Sequence, residues 1–524
     1  MKTKSKIIPI AFLSILFGVA ACSDFLDNNI NPNQTSSNPA KLILPAAEAQ
    51  LGFNMGSDLF LYSGLWSQQI AAQNGRQTET YDKYILQPTE INNAWRASFY
   101  AGHLADIEEI LKKPADQVHP HYFGIAKVVK AFSYSILVDF WGDVPFSQAL
   151  KAGNFQPDID DDAAIYPQLI ALLDEAIVDL KATSGLPTVG AEDYFYGGSG
   201  NINRWIKFAN TLKLRLYLHM ANVPGFDTAV ITSFLNATPA NELMAANTDD
   251  FQMKFDIIAQ RQNPTHQFIL SRTDDMCTSS TIIGLMNAKS DPRRATYFTP
   301  APFSPTLFTN PPTGTTGFKG LTNGYGNNSV DNSLSRLHTF VRGSVTSTTI
   351  PAGPNLTVGA LAYNGGASLN ILTYAEYNFI RAELTLRYGA PATPKTSAQE
   401  WYQEGIRTSI LDAGVSTAQA TSYLASAVGT LTGTPDQQLQ QIIEEKYVAN
   451  FMVCGESWTD WRRTGYPLLQ LLPASLSPGN NGKVPRALLY PQQEVDANPK
   501  LASIQRTSLS DRRVFWDTRT TGQE

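Results

Sequence analysis

The chain has 524 residues, 43% of them hydrophobic and only 16% charged, which gives enough apolar material for a large core and excludes global disorder. Its formal net charge is -6, and it becomes three units more negative without the first 21 residues, whose only charged side chains are Lys2, Lys4 and Lys6. That sign argues against the basic footprint of a nucleic-acid binder, and three cysteines (Cys22, Cys277 and Cys454) are too few for a disulfide-built scaffold.

The N-terminal lysines are followed by an apolar run over 7–19 and the small pair Ala20-Ala21 before Cys22. A basic start, an apolar stretch of ~7–15 residues and a small-residue cleavage site predict a secretory signal over 1–21. The stretch is shorter than the ~20 apolar residues of a spanning helix. Cys22 after Val19-Ala20-Ala21 resembles the end of a lipoprotein signal, in which the cysteine is acylated and becomes the mature N-terminus. An ordinary secreted chain with a cysteine at that place is the competing reading. Polar, acidic 23–29 and Asn31-Pro32-Asn33 predict a flexible tether over 22–38. That leaves 39–524 as one domain held at a membrane by lipid alone.

Segments 58–73 and 89–113 read as helical. Over 118–140, Ile125, Val129, Phe132, Ile136 and Phe140 recur at spacings of 4, 3, 4 and 4, one helix face set against a partner. A helix over 161–182 follows with Asp161 as its N-cap. Trp205, Phe208, Leu212, Leu216 and Met220 mark another over 203–220, capped by Asn203. From about 247 to 372 the periodicity fades into Pro, Gly, Thr, Ser and Asn. β-prone runs at 337–341 and 347–350 read there as hairpin pieces within long loops. Such loops in a compact domain are usually functional elements. Helical spacing returns at Tyr377, Ile380, Leu384 and Tyr388, over 396–412 and 416–427, and at Ile443, Tyr447 and Phe451. The fold class is therefore mainly α, a helical scaffold with a loop-rich irregular insertion.

Several segments, in order along the chain, resemble the SusD/RagB family, specifically its SusD-like, starch-binding-associated branch. Phe25-Leu26-Asp27, Asn31-Pro32-Asn33 and Leu42-Ile43-Leu44-Pro45-Ala46-Ala47 resemble its opening. Phe140-Trp141-Gly142-Asp143-Val144-Pro145-Phe146 resembles the turn after its early scaffold helix, and Arg204-Trp205-Ile206-Lys207-Phe208-Ala209-Asn210 a helix of most members. Asp291-Pro292-Arg293, Arg381-Ala382-Glu383, Glu445-Lys446-Tyr447, Glu456-Ser457-Trp458, Trp461-Arg462-Arg463 and Val484-Pro485-Arg486 extend the series. The resemblance implies a tetratricopeptide-like superhelix of helix pairs, no enzymatic activity and no cofactor. It also implies a lipoprotein of the outer membrane, facing the cell exterior, with display towards the periplasm as the alternative. Its implied partners are a SusC-like TonB-dependent outer-membrane transporter, which it covers as a lid, and a glycan or, in RagB-like members, a peptide.

The residues themselves carry no enzyme signature. HExxH, Walker and CxxC patterns are missing, and Gly197-Gly198-Ser199-Gly200 runs into Asn201, outside the nucleophile-elbow pattern. His119 and His121 flank Pro120 without a third ligand, so no metal site is expected. A glycosidase needs two carboxylates roughly 5–10 Å apart across a cleft. Glu444-Glu445 and Glu456 with Asp460 are acidic pairs, but Glu456, Asp460, Arg462 and Arg463 read better as a salt-bridge network around Trp458 and Trp461. Cys277 and Cys454 are either a disulfide or two separate thiols.

Binding remains. A sugar platform needs a flat aromatic face edged by amides or carboxylates. The candidates are Trp66, Asn74, Tyr81 and Tyr84 at a helix end and loop, Tyr196 before the glycine loop, and Tyr325 among Gly324, Gly326, Asn327 and Asn328. For Trp66 an inward core position competes with the platform role, while Tyr325 has no core to join. The expected function is non-catalytic capture of oligosaccharides for a TonB-dependent porter. A peptide-binding lid, a surface glycoside hydrolase and a purely structural lid are the alternatives.

Overall fold

A computed structural model describes residues 38–272, 275–302, 304–326, 333–347 and 361–520. The expected signal, the tether up to residue 37 and Cys22 lie outside them. Helices follow one another in packed pairs. α1 (Ala40–Met55) and α2 (Asp58–Trp66) open the domain. α3 (Leu104–Leu111) packs on α4 (Pro120–Trp141), α4 on α5 (Asp162–Lys181), and α5 on α6 (Ile202–Met220). Beyond the irregular middle, α7 (Tyr374–Tyr388) pairs with α8 (Ala398–Asp412), and α9 (Thr417–Leu424) packs on α8. α10 (Pro435–Ala449) lies against both α7 and α8, and α11 (Glu456–Thr464) returns to α2.

Local chemistry sets the helix ends. His119 accepts the His121 N–H and Pro120 fills the first position of α4. Asp161 accepts the Ala164 N–H at the start of α5, and Thr434 with Gln437 forms a capping box before α10. Gly142 stops α4 at φ 79, where a side chain would press on Arg506 and Asp162 at 3.2 Å.

Four short strands are described: β1 (Ile70–Ala72), just after α2, and, with short helices in the middle of the chain, β2 (Phe251–Met253), β3 (Met276–Thr278) and β4 (Leu369–Leu372). β1 pairs antiparallel with β3, Ile70 opposite Thr278, and β2 pairs antiparallel with β4. The helix expected over 58–73 therefore ends at Trp66, because its last turn is taken by β1. Over 89–113 the helix breaks at Gly102, within wider π-type turns spanning Arg96–His103. Asn201, not Asn203, stands before α6. Leu337 makes only a single bridge to Phe298 and Thr339–Arg342 is a helical turn, so no hairpin forms at 337–341; 348–350 lie outside the described residues. α4 is buried nearly all round from Ala131 to Trp141, not on one face, since α3, α5, α6 and the 488–490 segment all cover it.

A network of buried charges ties α6, α7, α10 and α11 together. Glu376 accepts from Arg215 Nε and Nη2 at 2.8 and 2.6 Å. Lys446 Nζ lies 2.7 Å from Glu456 and 2.8 Å from Asp460. Arg463 donates to both Glu383 oxygens at 2.6 and 2.8 Å and to Asp460 at 2.7 Å. Burial alone would raise the Glu456 carboxyl, but Lys446, then Arg215 and His219, hold it well below the usual range. Arg462 lies 3.5 Å over the Trp458 ring and donates to the carbonyls of Asp139 and Arg486 at 2.7 and 2.9 Å. Glu445 is likewise paired, 2.7 Å from Arg293 and 3.0 Å from Lys289. Of the acids weighed as hydrolytic pairs, Glu445, Glu456 and Asp460 are thus ion-paired inside the core, and the half-buried Glu444 pairs with Lys289 at 3.0 Å. Of the segments that carry the family resemblance, Arg381-Ala382-Glu383, Glu445-Lys446-Tyr447 and Glu456-Ser457-Trp458 supply charged side chains that join one helix to another. Cys277 and Cys454 are separate buried thiols. Among the described residues no helix is long and apolar enough to cross a membrane.

Candidate functional site

The expected binding residues fall into two groups. Trp66 is fully buried, its Nε1 donating to the Tyr81 carbonyl at 3.1 Å and its ring meeting Trp458 edge-on at 5.2 Å. The Tyr81 hydroxyl donates to Glu90 at 3.0 Å and accepts from Gln77 at 2.8 Å. Tyr84 is buried, with a left-handed backbone at φ 59. Tyr196 donates to the Asp249 carbonyl at 3.0 Å and stands edge-on to Trp205 at 5.3 Å. These four rings belong to the core and have no face free for a ligand, which corrects the platform role expected of them. For Trp66, Tyr81 and Tyr84 the cause is α2, which is covered on every side from Leu59 to Trp66, and the turn Gln77–Asp82 that folds back against it; Tyr196 is covered instead by Trp205 of α6 and Phe251 of β2. Aromatics that read as a helix-end cluster in sequence become its packing.

Tyr325 and Asn74 are placed differently. Tyr325 is 51% exposed, on a loop that is fixed from beneath. Leu321 N–H donates to the Thr278 carbonyl at 2.9 Å, joining the loop to the end of β3. The Asn323 amide donates to the Ile70 carbonyl at 2.8 Å and to Asp82 at 2.6 Å, and its oxygen accepts from Ser279 at 2.6 Å. The second Asp82 oxygen accepts the Gly324 N–H at 2.8 Å and the Ala72 N–H at 3.1 Å. Burial pushes the Asp82 carboxyl up to about 6 against the pull of these donors.

Both neighbours of Tyr325 are left-handed, Gly324 at φ 75 and Gly326 at φ 62. A side chain at Gly324 would collide with Leu472 at 2.4 Å, and one at Gly326 with the Asn74 amide oxygen at 1.7 Å. Asn74 therefore lies directly against the loop backbone beside the tyrosine. On another side stands the 468–472 segment, whose Leu468 and Leu471 are exposed at 60% and 43%. Gln68 clamps it, donating to the Gln470 carbonyl at 2.7 Å and accepting the Gln470 N–H at 2.9 Å. Those leucines escape sequence reasoning because the clamp joins residues 402 positions apart and no local pattern marks it.

A phenol ring on a braced loop, with an amide and aliphatic side chains nearby, offers an apolar face with hydrogen-bonding edges. Rigidity lowers the ordering cost of any ligand that stacks there. Asp82→Asn turns one acceptor into a donor facing the Gly324, Ala72 and Asn323 N–H groups. Hydrogen exchange at the Gly324 and Tyr325 amides is expected to accelerate in this variant, with α4 and α5 unchanged.

Asp143, Asp161 and Asp162 are, among the described residues, the acids whose oxygens lie together within 4.8 Å, and Arg512 already pairs with Asp143. His121 Nδ1 is 2.6 Å from the Thr188 hydroxyl.

A family model described as SusD-like, starch-binding and associating with the outer membrane matches residues 32–491. The fold is similar to that of a chitin-binding SusD homolog from Flavobacterium johnsoniae, at a TM-score of 0.71 and 22% identity, covering 91% of this chain and 99% of that one. A SusD homolog from Bacteroides uniformis matches at a TM-score of 0.71 and 22% identity, over 92% and 99% of the two chains. A SusD/RagB family protein from Bacteroides thetaiotaomicron matches at 0.69 and 22%, over 93% and 100%. No curated protein matches the sequence.

Proposed function

This chain belongs to the SusD-like family described as starch-binding and associating with the outer membrane, and from that premise we propose that it is a non-catalytic glycan-binding lipoprotein of the outer membrane. It captures oligosaccharides at the cell exterior and passes them to a SusC-like TonB-dependent transporter. The observation that carries the reading is Tyr325, an exposed ring held on a loop with four hydrogen bonds to β-strand ends and Asp82 beneath it. Tyr325 would stack on a pyranose face, and Asn74 would bond its hydroxyls. The chitin-binding homolog of the same fold favours a polysaccharide over a peptide as ligand.

Capture of this kind needs reversible affinity, so no bond is made or broken. Glu445, Glu456 and Asp460, from the acidic pairs weighed for hydrolysis, are tied into ion pairs, which favours binding over turnover. Lipidation at Cys22 would keep the domain at the membrane through a tether long enough for a lid to swing. Cys22→Ala is expected to move the protein from the membrane fraction to the soluble fraction, as read by fractionation and immunoblot. Retention of this variant in the membrane fraction would contradict the anchor.

Calorimetry against chitin and starch oligosaccharides, with unrelated peptides alongside, tests the reading. Saturable heats with a glycan are expected. Heats with peptides alone would assign it to the peptide-binding branch, and none with either would leave a lid without affinity of its own.

A further inference from the structure

Arg342 is only 7% exposed, yet among the described residues no carboxylate pairs with it, and its Nε is a buried donor without an acceptor. Its guanidinium carbon lies 4.0 Å over the Tyr363 ring, and the Tyr363 hydroxyl is 2.7 Å from His338 Nδ1. His266 comes from the short helix Pro264–Ser271, which packs against the turn Thr339–Arg342. It is fully buried, and both of its ring nitrogens are without partners. Burial first, and the Arg342 charge second, hold the His266 and His338 imidazoles down at about 4. One guanidinium and two uncharged imidazoles, His266 with both ring nitrogens unpartnered, are thus gathered without an acid among the described residues. Gly365 at φ 74 permits this approach, since a side chain there would meet the His266 ring at 2.6 Å.

A guanidinium kept from water without a counter-charge is costly, and proteins ordinarily pair it. Its planar fork matches the two oxygens of a carboxylate or sulfate. We propose that Arg342, with His266 and His338 beside it, forms an anion site that takes a carboxylate or sulfate group, either free or carried on an acidic sugar. The site stands on its own residues and does not depend on Tyr325.

Thermal shift and calorimetry with sodium sulfate and sodium glucuronate, at constant ionic strength and with sodium chloride and glucose as controls, test it. Either anion or both should raise the Tm of the wild-type chain, and Arg342→Gln should weaken the binding at least tenfold. Sulfate acting as well as glucuronate identifies a free oxyanion site; glucuronate acting alone identifies an acidic sugar. Equal stabilisation of wild type and variant, or no response of the wild type, overturns the proposal. Should Arg342→Gln fail to fold, histidine-selective NMR of the wild type decides. The His266 and His338 signals, assigned through single His→Asn variants, must move on titration with the anion that raises Tm, and stationary signals overturn the site.

Discussion

Lys446→Met is expected to lower folding stability by about 3–5 kcal/mol, the usual cost of leaving buried charges without their partner. The methionine matches the lysine in bulk, so the loss comes from charge and not from a cavity. Lys446 is almost completely buried, with Glu456 and Asp460 at 2.7 and 2.8 Å and Glu376 at 3.8 Å. Without its ammonium these carboxylates keep, among the described residues, Arg215, Arg463 and His219 as buried partners. The loss should depend on pH in a defined direction. Glu456 is held well below its ordinary value, so its contribution is present above the usual carboxylate range and disappears as pH falls through the depressed value. In Lys446→Met that depression loses its largest charge contribution, and the gap between variant and wild type should narrow towards acid pH. Urea unfolding at pH 7 and pH 4 measures both effects. An unchanged midpoint at pH 7 would mean the network is not ion-paired as described.

Tyr325→Ala should weaken glycan binding by tenfold or more, about 1.4 kcal/mol, and leave Tm almost unchanged. The two effects separate because of how the side chain is placed. Half of its surface faces solvent, so removing the ring takes little from the core. The loop beneath is held by Asn323, Gly324 and Asp82, none of which uses the ring. A stacked aromatic contributes roughly 0.5–1.5 kcal/mol beyond its buried area, and that is lost with the ring. Calorimetry with the tightest glycan, paired with a thermal melt, gives both numbers. A large fall in Tm would assign Tyr325 to the fold instead of the ligand.

These two variants mark what a linear chain reveals. Lys446 sits in a segment, Glu445-Lys446-Tyr447, whose family resemblance is legible, as are the apolar spacings that set α4, α6, α7 and α10. Helical periodicity is a local property and survives in sequence. Burial on all sides is not local, which is why Tyr81, Tyr84 and Tyr196 stand as platform candidates in sequence beside Trp66, for which an inward position already competes, while all four are buried in the core. Tyr325 could be singled out because Gly324 and Gly326 leave it nothing to pack against within its own loop. Its surroundings could not, since Asp82 holds the loop at Gly324 from 242 positions away and Leu472, which packs on Gly324, comes from near the other end of the chain. β1 escaped for the same reason: Ile70–Ala72 continues an apolar helical run, and only pairing with β3 makes it a strand.

The central claim is that the protein holds a glycan and returns it whole. Incubating purified protein with a saturating oligosaccharide, separating the complex, and sizing the released ligand by chromatography tests this most directly. Retention followed by recovery at the original length is the predicted result. Release of shortened oligosaccharide, or failure to retain any glycan, would contradict it.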